Sequence, residues 1–160
     1  GYQLSNAGDQ RWAVRGALKL PTGDADSLLG SESTDISLGL NFTDSQLGQS
    51  AVAFHASAGV LFMDGGEVLE NSREDWVAYG SSTISWLATP SVSLKLQLDM
   101  HTAFYDSGLT ELGENSAQLV LGGAVRLSDN WILDLAVSED IAVDTAPDVV
   151  FHIGIKALRW

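Results

Sequence analysis

Apolar and polar residues alternate with a period of two over eight stretches of the chain, 10–21, 35–43, 50–63, 76–87, 92–105, 116–127, 131–139 and 149–160. A period of two is the repeat of a β-strand with its two faces in different surroundings, so each stretch is predicted to be a strand. The connections fall into two kinds. Residues 22–34, 64–75, 106–115 and 140–148 are long and polar, whereas 44–49, 88–91 and 128–130 are short and carry the turn formers Pro90 and Asp129-Asn130. Long and short connections alternate, which predicts an antiparallel up-and-down arrangement with all the long loops at one end.

Register tests this arrangement, because facing residues of an antiparallel pair must point to the same side and a one-residue slip turns every side chain over. A turn at Ser128-Asn130 would pair Leu127 with Trp131, Val125 with Leu133 and Gly123 with Leu135. Across Ala88-Pro90, Trp86 would meet Val92 and Ile84 would meet Leu94, and Phe42 could meet Val52 across the longer turn between them. One continuous apolar face results, carrying Val14, Leu18, Leu20, Ile36, Leu38, Leu40, Phe54, Val60, Phe62, Leu96, Leu98, Met100, Leu119 and Leu121.

The other face decides the surroundings. A water-facing strand surface should be rich in Lys, Glu and Thr, yet this face reads Ala13, Ala17, Ser37, Gly39, Ala53, Ser57, Gly59, Ser93, Gly122, Ala124, Ala136 and Ser138. Small residues suit a crowded lumen. Among them stand Arg15, Lys19, Lys95, Asp99, His101, Arg126 and Asp134, both signs together, as a narrow interior requires because buried charges must be paired. Arg126 and Asp134 would lie diagonally across one hairpin. The expectation is a transmembrane β-barrel of eight strands, apolar side outward, filling residues 1–160 as a single domain. A soluble, lipocalin-like calyx carrying an apolar ligand is the competing arrangement, with the same alternation turned inside out.

The tryptophans support the membrane. Trp12, Trp86, Trp131 and Trp160 each continue an apolar face where a short turn or a chain end meets a strand, and Trp is enriched where apolar surface meets a headgroup layer. Phe62, Trp76 and Phe104 could form a second girdle at the long-loop end. Most of the stretches reach about the 9 to 11 residues that a tilted strand needs to cross a bilayer. No run of about 18 apolar residues exists that could cross as a helix.

Charge and composition then exclude several functions. The net charge is -13, and eight scattered basic residues give no phosphate-binding cluster, so nucleic acid is not a partner. There is no cysteine, hence no disulfide and no thiolate metal site. His101 and His152 have no ligand partners at metal spacing, and neither a metal nor a cofactor is expected. Most acidic residues fall in the long connections, where Asp24/Asp26, Glu67/Glu70 and Glu74/Asp75 could bridge divalent cations to anionic lipid.

The run Ala17-Leu18-Lys19-Leu20-Pro21-Thr22-Gly23-Asp24, followed by Leu29-Gly30-Ser31 and Thr34-Asp35-Ile36-Ser37-Leu38-Gly39-Leu40, resembles uncharacterised proteobacterial outer-membrane proteins of a family of unknown function. It is also similar to a family associated with phenol-degradation operons, for which uptake of hydrophobic compounds is the suspected role. The terminal stretch Phe151-His152-Ile153-Gly154-Ile155-Lys156-Ala157-Leu158-Arg159-Trp160 looks like the last strand that the barrel-assembly machinery of the bacterial outer membrane recognises. Its apolar phase switches from Phe151/Ile153/Ile155 to Leu158/Trp160, which a bulge near Lys156-Ala157 would reconcile. Relatives of the family tend to be longer at the amino terminus, which implies that the chain is the carboxy-terminal part of a larger barrel.

That choice governs function. A closed barrel of eight strands is just filled by its own side chains and favours a structural or surface role, whereas one of twelve or more strands could pass small molecules. No catalytic residue is assigned. His55-Ala56-Ser57 resembles the His-x-Ser of outer-membrane lipid A deacylases, but in those enzymes the pair lies near the chain's end and faces lipid, whereas here it falls on the small-residue face of the third predicted strand.

Overall fold

A computed structural model describes residues 1–23, 32–64, 72–142 and 149–158. They form nine antiparallel strands: β1 (Tyr2–Ala7), β2 (Gln10–Lys19), β3 (Asp35–Asp44), β4 (Val52–Met63), β5 (Trp76–Thr89), β6 (Val92–His101), β7 (Ser116–Ser128), β8 (Trp131–Asp140) and β9 (Val149–Ala157). They make one sheet in the order of the chain. The only α-helix among the described residues, α1 (Thr110–Gly113), is a single turn.

The eight expected strands are all present, and the count is corrected by one. β1 is short, its alternation is broken by a bulge between Gln3 and Ser5, and it turns back into β2 over Gly8 and Asp9. Gly8 takes a positive φ of 63°, which the tight turn requires and a side chain would resist. The sheet is not closed. β1 pairs only with β2 and β9 only with β8 among the described residues, and these two edges run in the same direction.

Up-and-down pairing places the turns after β1, β3, β5 and β7 at one end and the four long connections at the other. The register keeps the expected faces while sliding along the strands. Val125 faces Leu133 and Gly123 faces Leu135 as expected, but a bulge after Arg126 brings Ser128, not Leu127, opposite Trp131. Trp86 faces Leu94 and Ile84 faces Leu96, two residues beyond the expected partners, because β5 runs on past a bulge after Leu87 to Thr89 and the turn falls at Pro90-Ser91. Phe42 faces Ala56 instead of Val52, since β3 runs on to Asp44. The slips at Trp86 and Phe42 are even-numbered and leave each side chain on its own face, while the one-residue bulge after Arg126 is confined to the turn end of the hairpin.

The expected bulge at Lys156-Ala157 is absent. β9 pairs with β8 without a shift as far as Ala157, which faces Trp131, and the Leu158 N–H donates to the Asn130 carbonyl at 2.8 Å. The phase of Phe151, Ile153 and Ile155 therefore continues to the end of the strand, and Trp160 lies outside the described residues. β6 also ends earlier than expected, at His101; Tyr105 instead bridges to Arg73 in the connection before β5.

The two faces differ as the alternation requires. The apolar face is the bare one: Leu38 is 57% exposed, Leu121 58% and Ile153 76%. On the opposite face side chains are half-buried over most of β3 to β8. Its best-packed part lies at the long-loop end of β3, β4 and β5, where Met63 and Val77 are buried. Next to them Tyr79 lies across Gly59 and Gly39, which the register sets side by side. A Cβ on Gly59 would come within 2.5 Å of the Tyr79 hydroxyl oxygen and 2.6 Å of the Leu38 carbonyl oxygen, so only glycine leaves room for the ring.

Candidate functional site

The small-residue face carries nearly all the strand-borne chemistry. Its basic residues are Arg11, Arg15 and Lys19 on β2, Lys95 on β6, Arg126 on β7 and Lys156 on β9; its acidic residues are Asp35 on β3, Asp99 on β6, and Asp134 and Asp140 on β8. The register places all ten on one side of the sheet.

At the long-loop end, Asp35 is buried and receives two cations. Lys19 Nζ donates to its Oδ2 at 2.8 Å and Arg73 to its Oδ1 at 3.0 Å. The fully buried Ser33 joins the same knot, its Oγ 3.0 Å from Lys19 Nζ and 3.3 Å from the Arg73 guanidinium. Arg73 belongs to the connection between β4 and β5, so it reaches back past Met63 to β3. That end is extended beyond the strands by backbone bonds from Met63 to Asp75, Asp64 to Thr34, Glu74 to Phe104 and Asp106 to Ser72. The rim is thus an ordered continuation of the sheet.

Across the face runs a band of hydrogen-bonded polar side chains. Thr43 Oγ1 and His55 Nδ1 are 2.9 Å apart, Ser57 and Ser81 share a hydroxyl bond of 2.8 Å, and Thr83 donates to Gln97 at 3.3 Å. Gln97 in turn donates to Asp99 at 2.7 Å. Farther round, Ser138 Oγ and His152 Nε2 are 3.2 Å apart.

The expected charge cluster is thus one face but not one knot. Arg126 makes no ion pair with Asp134, whose carboxylate lies 3.0 Å from Lys156 on the other neighbouring strand. Lys19 pairs with Asp35, Asp99 is held by Gln97, and the His101 ring packs on Phe104 at 4.8 Å. Arg15, Lys95 and Arg126 are exposed and form no ion pair with a described residue. Reasoning from sequence missed Ser33, Asp35, Arg73 and Lys156. Arg73 did carry a signal, as the one basic residue in four acidic connections.

The aromatic residues gather at both ends of the apolar face. Trp12 packs on Phe42 at 4.6 Å and Phe42 on Phe54 at 6.2 Å, with Trp86 and Trp131 also at the short-turn end. This packing leaves Phe54 half-buried rather than exposed. At the long-loop end Phe62 meets Trp76 at 4.9 Å, while Phe104 turns away to His101.

His55 and Ser57 share the small-residue face but bond to Thr43 and Ser81, not to each other, so no nucleophile and base are assembled there. Among the described residues no three His, Asp or Glu side chains converge as metal ligands. Glu74 and Asp75 are exposed at the rim, whereas Asp24/Asp26 and Glu67/Glu70 lie outside the described residues.

A family model described as a protein of unknown function (DUF3187) matches residues 1–158. No curated protein and no solved structure matches the chain significantly.

Proposed function

The chain belongs to the DUF3187 family, and we propose that its sheet is part of the wall of an outer-membrane β-barrel with a passive role, the permeation of small molecules. The observation that carries this reading is the bare apolar face. Leucine, isoleucine and phenylalanine stand exposed along β3, β6, β7 and β9, a surface that water penalises at roughly 25 cal/mol per Å² and that lipid tails accept. The dimensions agree. Trp76 and Trp86 stand ten residues apart on β5, which at ~3.3 Å per residue and a tilt of about 40° separates them by ~25 Å along the membrane normal, the height of a barrel's apolar band.

The open edges favour the permeable form over a filled eight-stranded plug. Among the described residues the nine strands leave both edges unpaired, with β1 and β9 running in the same direction. Closing an antiparallel wall between them takes an odd number of further strands, and the barrel is then wider than eight strands. The test uses the full-length protein in its own cells. It should fractionate with the outer membrane, resist extraction by alkaline carbonate and migrate faster on gels unheated than boiled. Recovery in the soluble fraction would overturn the proposal and favour the calyx.

A further inference from the structure

We propose that the small-residue face selects anions, and that this selection is made toward its short-turn end. The inference rests on that face being the lumen of the proposed barrel. Although the chain as a whole carries a net charge of -13, this face holds six basic residues against four acidic ones. Six of the chain's eight basic residues therefore sit on one side of one sheet. Its acidic residues are largely occupied. Asp35 is shared by Lys19 and Arg73, Asp134 is met by Lys156, and Asp99 takes the Gln97 amide. Asp140 also has a partner.

Four cations remain without an ion pair among the described residues: Arg11, Arg15, Lys95 and Arg126, all exposed on this face. The charges are also separated along the strands. Arg11, Lys95, Arg126 and Lys156 lie toward the short-turn ends, with Asp134 the one carboxylate among them and already met by Lys156, whereas Asp35, Asp99 and Asp140 lie toward the long-loop ends, with Lys19 the one strand cation there and already held by Asp35. Fixed charges lining a narrow path between low-dielectric walls set which ions enter it, and unpaired Arg and Lys favour anions.

Lys95 has room for a solute in front of it. It borders an open hollow of about 530 Å³ together with Gln97, Asp134 and His152. The carboxylate there is already met by Lys156, which leaves the Lys95 ammonium as the unanswered charge. The chemical class that fits is a small anion such as inorganic phosphate or a short carboxylate.

The experiment is conductance of the full-length protein in planar bilayers under a potassium chloride gradient. The expected reversal potential is that of a path more permeable to chloride than to potassium, with the ratio falling below one in the double variant Lys95→Glu/Arg126→Glu. Reversing an exposed rim charge, Glu74→Lys, should leave the sign unchanged. Cation selectivity in the unmodified protein, or an anion preference that survives the double variant, overturns the inference. Absence of current from protein that gel mobility shows to be folded overturns it too, together with the permeation role, while outer-membrane location is tested separately by fractionation. A variant that loses its heat-modifiable mobility is replaced by Lys95→Gln/Arg126→Gln, which should lower the chloride preference without inverting it.

Discussion

The contact of Tyr79 with two glycines yields a graded prediction. In Gly59→Ala the new methyl meets the Tyr79 hydroxyl oxygen at 2.5 Å, the Tyr79 Cζ at 2.6 Å and the Leu38 carbonyl oxygen at 2.6 Å. The ring could swing away, but the carbonyl belongs to the paired backbone of β3 and cannot. Overpacking of this kind costs about 1–3 kcal/mol, offset by about 0.4–1 kcal/mol from the stiffer unfolded chain. The net loss should be about 1–2 kcal/mol. In Gly39→Ala the methyl meets the hydroxyl oxygen at 3.0 Å and the nearest backbone oxygen at 3.5 Å, so the two terms nearly cancel and the change should be within about 0.5 kcal/mol of zero. Tyr79→Phe removes the hydroxyl. It should relieve Gly39→Ala fully and Gly59→Ala only in part. Urea unfolding of the full-length protein refolded in detergent micelles, followed by tryptophan fluorescence, measures the unmodified protein, the three single variants and the two double variants. Equal stability of the two alanine variants, or complete rescue of Gly59→Ala by Tyr79→Phe, would refute the reasoning.

Three further outcomes are expected. Asp35→Ala leaves the Arg73 guanidinium, 11% exposed, without its carboxylate, and should cost about 1–3 kcal/mol in the same unfolding assay; no loss would mean the knot is not formed. Lys156→Ala removes a side chain that is 68% exposed, and should change stability by less than about 0.5 kcal/mol, which the same assay reads. Brominated lipids should quench Trp76 and Trp86 best when the bromines lie near the acyl-chain ends closest to the headgroups. Strongest quenching by mid-bilayer bromines would displace the girdles.

Period-two alternation was legible because a strand inside the sheet has one face bare and one face crowded, and this held over most of β3 to β8. β1 was not, because two large apolar residues, Tyr2 and Leu4, and a bulge in a six-residue strand leave no repeat to read; its signal was the Gly8-Asp9 turn. The slips at Trp86 and Phe42 have a common cause. Where a turn falls is set by local bonds such as Ser50 N–H to the Leu47 carbonyl and Ser91 N–H to the Thr89 hydroxyl, which side-chain pattern does not report, so face was predictable where partner was not. The charged face could be read as a set, but its pairings could not. Asp134 lies between Ala124 and Gly154 in register, with cations on strands to either side, and only the coordinates show that Lys156 is the one that reaches it. Ser33 was hidden because it lies in a connection, outside any periodicity, and Arg73, in another, was marked only by its charge.

The central claim is that the apolar face meets lipid. The protein has no cysteine, so single cysteines can be placed along β6 from Ser93 to Met100, spin-labelled, and probed in bilayers with oxygen and with a water-soluble nickel chelate. The account predicts that labels at Leu94, Leu96 and Leu98 collide with oxygen and not with nickel, most strongly at mid-strand, while those at Ser93, Lys95 and Gln97 collide with nickel. Labels at the leucines shielded from both reagents would contradict it, for that is the signature of an apolar interior.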